Sequence, residues 1–191
     1  MIRLTYGTTN TYFIDGLLVD TGYAGTLQAF YRALKDSGLQ AGDIRYMLAT
    51  HYHPDHMGLI GILAQRGAKL LIADTQTEML HFSDRIFERD RLPFVPIDEA
   101  RAAVFPCTES RTFLKRIGIA GEILSTPSHS PDSITLALDD GNCFVGDLAP
   151  AEYAEAWGDP EMLKKDWQRI SALKPAKIHF AHMPERAWGR A

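Results

Sequence analysis

Thr50-His51-Tyr52-His53-Pro54-Asp55-His56 is the stretch on which the reading of this chain turns. His51 and His53 stand two apart, so in extended backbone their side chains leave on the same side. Pro54 restricts the backbone just before the chain turns into a helix, and Asp55 and His56 sit at that turn. The preceding run, Tyr46-Met47-Leu48-Ala49, is apolar and short, as a buried strand is. Four metal-ligating side chains at a strand end suit a dense site rather than a solvated surface. A His-x-His-x-Asp-His pattern arises by chance in a chain of this composition with a probability on the order of 10⁻³. Imidazole with carboxylate suits zinc, and also iron, manganese or nickel. A single tetrahedral zinc does not use all four groups, so the excess predicts a second ion and ligands elsewhere. The candidates are His129 after Ser125-Thr126-Pro127-Ser128, Asp147 after Phe144-Val145-Gly146, and His182 after Phe180-Ala181. Each follows an apolar, strand-like run, so all of them could converge on one edge of a sheet.

The rest of the composition narrows the setting. The 191 residues predict one domain. A hydrophobic content of 46% with 23% charged residues is globular, which excludes a disordered or fibrous chain. The formal charge of −4 leaves no basic footprint for nucleic acid. MIRLTYGTTN has no secretory n-region and apolar core, and no window reaches the ~18 apolar residues of a membrane span. Cys107 and Cys143 lack CxxC spacing, which suggests neither a disulfide framework nor a cysteine zinc site and predicts two reduced, half-buried thiols. A cytoplasmic protein acting on a small molecule is the expectation, with neither nucleic acid nor membrane as partner.

Along the chain, Thr11–Ile14 and Leu17–Val19 flank Asp15-Gly16, which predicts a hairpin with a type I′ turn. Leu27, Phe30, Tyr31 and Leu34 make one helical face, closed by Gly38. A second helix is expected over about Met57–Gln65, then a strand over Lys69–Ala73. Residues 75–118 carry Pro93, Pro96 and Pro106 among scattered large apolar side chains, and are expected to form short helices and loops, an insertion or lid. Strands are expected at Glu122–Thr126, Ser133–Leu138 and Cys143–Val145, the last two joined by Asp140-Gly141 in a turn like the first. Asp159-Pro160 reads as a helix start, with Met162, Leu163, Trp167, Ile170 and Leu173 as its apolar face. Lys177–Ala181 is the last expected strand.

In these motifs the chain resembles the metallo-β-lactamase superfamily. They occur in order: Val19-Asp20-Thr21-Gly22, the His51 to His56 segment, Thr126-Pro127-Ser128-His129-Ser130, Gly146-Asp147 and Ala181-His182. The resemblance implies an α+β protein, an αββα four-layer sandwich with a two-metal site along its edge. It implies that His51, His53 and His129 hold one divalent ion and that Asp55, His56 and His182 hold the other, with Asp147 bridging. Asp20 resembles a residue supporting the site from behind. The chain departs from the family pattern at Ser128, Asp132 and Met183, where glycines are usual. Asp132 is expected in a local turn or facing substrate. His179 is a competitor for the role of His182, and His81 is expected at the surface or in the lid.

The activity implied is hydrolysis by a metal-bridging hydroxide, with Asp55 as the catalytic group that orients it. Two dications against two carboxylates and a hydroxide leave a core of about +1, which favours substrates with an oxyanion or developing negative charge. Only nine residues follow His182, too few for the C-terminal helical domain of glyoxalase-type thioester hydrolases. Asp147 stands where true β-lactamases usually lack an aspartate. A small ester, lactone, thioester or phosphoester is the expected substrate, and zinc the expected metal. Two other readings remain open: an iron persulfide dioxygenase using His51, His129 and Asp147, and a non-catalytic metal-binding domain.

Overall fold

A computed structural model describes residues 1–156 and 158–189. The chain divides into two compact units, Met1–Ile72 with Thr77–Val104, and Ala73–Gln76 with Phe105–Ala191.

The first unit is built on a sheet of β1 (Ile2–Thr5), β2 (Asn10–Ile14), β3 (Leu17–Val19), β4 (Tyr46–Leu48), β5 (Lys69–Ala73) and β6 (Ala103–Phe105), in that order. The Asp15-Gly16 hairpin forms as its sequence predicts: Ile14 pairs with Leu17, and both turn residues have positive φ, 48° and 92°. From β3 the sheet turns parallel, β3 to β4 to β5, and apart from exposed Lys69 and half-buried Tyr46 at their starts these strands are apolar and buried, as strands covered on both faces are. Leu18, Met47, Leu70 and Ile72 face a core shared with Phe30 and Leu34 of α1 (Leu27–Asp36). Gly38, at φ 73°, ends α1, and the amide of Leu39 turns back to the Leu34 carbonyl.

The second expected helix is two: α2 (Pro54–Met57) and α3 (Ile60–Gln65). The break has a physical cause. The Gly58 amide donates to the Gly22 carbonyl at 3.0 Å and the Leu59 amide to Thr21 Oγ1 at 3.2 Å, so neither continues the helix. The loop carrying Gly22 to Ala24 passes so close that a Cβ on Gly58 would lie 2.1 Å from the Ala24 nitrogen. Residues 75–118 also differ from the expectation of helices and loops alone. Besides α4 (Asp84–Arg89), α5 (Ser110–Arg116) and short 3₁₀ turns, they supply the strand β6.

The second unit has a sheet ordered β11 (Arg186–Ala187), β10 (Lys177–Phe180), β9 (Asn142–Gly146), β8 (Ile134–Leu138) and β7 (Gly121–Ser125). The turn between β8 and β9 is not of the first hairpin's type. Three residues connect the strands, the Gly141 amide bonds the Leu138 carbonyl, and Gly141 alone takes positive φ, 89°. That is a type I turn followed by a left-handed glycine. Helix α6 (Pro160–Ala172) starts at Asp159, whose carboxylate accepts the Met162 amide at 2.9 Å. Leu163, Trp167 and Ile170 pack on Ala137, Cys143, Val145, Ile178 and Phe180. Met162 and Leu173, expected on this face, are each 38% exposed, and Asp166 is buried on it with Leu163, Trp167 and Ile170. Cys143 is buried and Cys107 half-buried, both free. Among the described residues no helix is long and apolar enough to cross a membrane.

Gly58→Ala is expected to cost roughly 1–3 kcal/mol, the range for overpacking a closed contact. Urea denaturation measures it; an unchanged midpoint would show that the Gly22–Ala24 loop does not constrain the break between α2 and α3.

Candidate metal centre

Imidazole and carboxylate groups that could hold a metal ion occur in both units. In the first, Leu48 ends β4 and the chain leaves the sheet with His51 and His53 on the way into α2. The His51 ring lies 4.5 Å from that of His53 and 4.0 Å from that of His56, centre to centre. Asp55, in the first turn of α2, brings Oδ2 within 3.6 Å of His56 Nε2. All four predicted side chains of this segment thus gather at one place. His51 and His56 are fully buried, which a pair of unassisted imidazoles at a strand end would not need to be.

Asp20 organises this half from behind. It ends β3 in a left-handed conformation, φ 60°, uncommon for a residue with a side chain, and is 2% exposed. Its Oδ1 accepts the Thr50 amide at 2.7 Å, the Thr50 hydroxyl lies within hydrogen-bond distance of both oxygens, and Oδ2 stands 3.1 Å from His56 Nδ1. A carboxylate on Nδ1 leaves Nε2 as the ligating atom and fixes the ring's orientation. The role implied for Asp20 by the family pattern fits this geometry.

In the second unit, His129 follows β7, Asp147 follows β9 and His182 follows β10. The two oxygens of Asp147 face different imidazoles: Oδ2 is 3.7 Å from His129 Nε2 and Oδ1 is 3.2 Å from His182 Nε2. His179, the competitor for His182, lies inside β10, donates its Nε2–H to Asn142 Oδ1 at 2.7 Å, and stacks on Phe144. Its contacts are those of a core histidine. His81 is exposed and bridges Asp84 and Glu99, a hydrogen bond to Asp84 raising its pKa. Asp132 is buried and accepts the Ser130 hydroxyl at 2.7 Å, within the turn that carries His129.

Sequence reasoning missed two residues. Thr9, on the β1–β2 loop, donates its hydroxyl to Asp55 Oδ2 at 3.2 Å; nothing in the sequence links positions so far apart. Asp166 accepts the Ser128 amide at 2.9 Å, next to His129. Its signal was present, an acid interrupting the apolar stripe of Leu163, Trp167 and Ile170. Burial pushes the Asp166 carboxyl pKa up, opposed by hydrogen bonding from Ser128 and by the Arg169 charge.

The donor set fits a divalent metal of borderline character: nitrogen-rich, with carboxylates and no thiolate. The model of the Metallo-beta-lactamase superfamily matches residues 4–182. A beta-lactamase-like protein 2 homolog from Drosophila melanogaster is 27% identical over 94% of this chain, and an uncharacterized Bacillus subtilis protein is 26% identical over 84% of it. The chain spans 60% of the Drosophila protein's length and 71% of the Bacillus protein's. Among solved structures, a protein in a di-iron-bound form matches with a TM-score of 0.72 at 22% identity, over 99% of this chain and 96% of its own. A metallo-beta-lactamase family protein from Thermus thermophilus matches with a TM-score of 0.73 at 20% identity, over 94% and 70%. At these identities the likeness shows a shared fold. By the family match across nearly its whole length, the chain belongs to the metallo-beta-lactamase superfamily.

Proposed function

We propose that the two ligand sets join in one binuclear centre and that the protein is a metal-dependent hydrolase of a small ester, lactone, thioester or phosphoester. His51, His53 and His129 would hold one ion and Asp55, His56 and His182 the other. The observation that carries this reading is the posture of Asp147, whose two oxygens are each directed at a different imidazole. A carboxylate so placed suits a bridge between two ions rather than a ligand to one. The di-iron form of a protein of the same fold is consistent with two ions. Zinc is the expected pair, with iron, manganese and nickel admitted by the same donors.

When bound, such a pair supplies a water acidified to near neutrality and an electrophile for a carbonyl or phosphoryl oxygen. The chain's own groups do the rest. Thr9 holds Oδ2 of Asp55, and the Asp55 carboxylate would orient the attacking hydroxide. Asp20, through Thr50 and His56, keeps the imidazoles from rotating away. The chain's acidic balance works against polyanions, so a small substrate rather than a nucleic acid is proposed.

Hydrolysis of a panel of the four bond types, before and after chelation and after zinc, manganese or iron reconstitution, tests the proposal. Metal-dependent turnover of at least one class is expected. One iron per chain with thiol-dependent oxygen uptake would replace the hydrolase with a dioxygenase, and stoichiometric metal with no turnover would leave a binding domain. Asp55→Asn is expected to lower kcat by about 10²-fold or more while metal content by elemental analysis falls far less. Asp20→Asn is expected to weaken metal affinity by about 10- to 100-fold, read by chelator competition, the usual effect of removing a partner behind a ligating histidine.

A further inference from the structure

Helix α6 carries two adjacent residues, Asp166 and Trp167, that reach the loops bearing two of the proposed ligands. Trp167 donates its indole N–H to the Ala149 carbonyl at 2.8 Å, two residues past Asp147. Asp166 accepts the Ser128 amide at 2.9 Å, one residue before His129. One turn on, Arg169 donates to the Ser125 carbonyl at 2.9 Å, and its Nη1 stands 3.8 Å from Asp166 Oδ1. The ends of the His129 turn are tied by other means: the Thr126 amide bonds the Ser133 carbonyl, and the Ser130 amide bonds Ser133 Oγ. Asp166 thus holds its middle.

That hold is costly. The Asp166 side chain is 1% exposed, on a helix face otherwise apolar, and desolvating a carboxylate is only partly offset by a hydrogen bond and a guanidinium 3.8 Å away. An apolar residue there would serve the core at least as well. A buried acid aimed at the backbone beside a ligand has a different use. Resting on the binuclear reading above, we propose that Asp166 is a positioning residue for His129: it fixes the Ser128 amide so that the His129 imidazole stays turned toward Asp147.

The test uses the full chain stripped of metal, with zinc(II) as probe. Wild type, Asp166→Leu and Asp166→Asn are compared by urea midpoint, by zinc affinity in chelator competition and by hydrogen exchange of the Ser128 amide. Asp166→Leu is expected to keep or raise the midpoint, to weaken zinc binding by about 10- to 100-fold and to speed exchange at Ser128. Asp166→Asn retains an acceptor oxygen and is expected to stay within a few-fold of wild type. If the leucine variant does not fold, Asp166→Ala replaces it with the same expectation. Unchanged zinc affinity in a folded Asp166→Leu or Asp166→Ala would overturn the positioning role alone. Absence of zinc binding by wild type would instead overturn the binuclear reading, and the role with it.

Discussion

The carboxylate of Asp20 holds together elements that the sequence leaves thirty or more residues apart. It receives the Thr50 amide and stands against His56 Nδ1, so the end of β3, the exit of β4 and the start of α2 are tied at one buried point. The Thr21 amide and hydroxyl both bond the His56 carbonyl, and the Gly58 amide bonds the Gly22 carbonyl, which extends the tie along the whole turn. A buried carboxylate without these donors would be costly, and the histidines without the carboxylate would lack orientation. The left-handed backbone at Asp20 and the closed contact at Gly58 both follow from the need to bring these three pieces together.

The second unit solves the same problem with a helix. Its three candidate ligands sit after three different strands, on loops that would otherwise be loosely held. α6 packs on β8, β9 and β10 through Leu163, Trp167 and Ile170, and from that anchored surface reaches the backbone beside His129 and beyond Asp147. In both units a buried acidic side chain bonds backbone next to the candidate ligands: Asp20 at Thr50 in one, Asp166 at Ser128 in the other.

What the sequence made legible were the features whose cause is local. The Asp15-Gly16 turn needs positive φ at two neighbours, and the Asp159 cap bonds a residue three positions on, so both could be read directly. The His51 to His56 segment was legible because four ligand types crowd into one short window. The break at Gly58 was not, since the groups that capture its amide and that of Leu59 lie on a loop more than thirty residues earlier. Thr9 was hidden for the same reason, and Asp166 because a lone acid on a helix is usually solvated. Asp140-Gly141 misled by its likeness to the first hairpin; the longer connection gives its glycine alone the left-handed conformation.

Anomalous diffraction from crystals of the metal-loaded protein, collected on both sides of the zinc and iron edges, bears on the central claim most directly. The account predicts two peaks flanking Asp147, one bound by His51, His53 and His129 and the other by Asp55, His56 and His182. A single peak, or two peaks that Asp147 does not bridge, would contradict it.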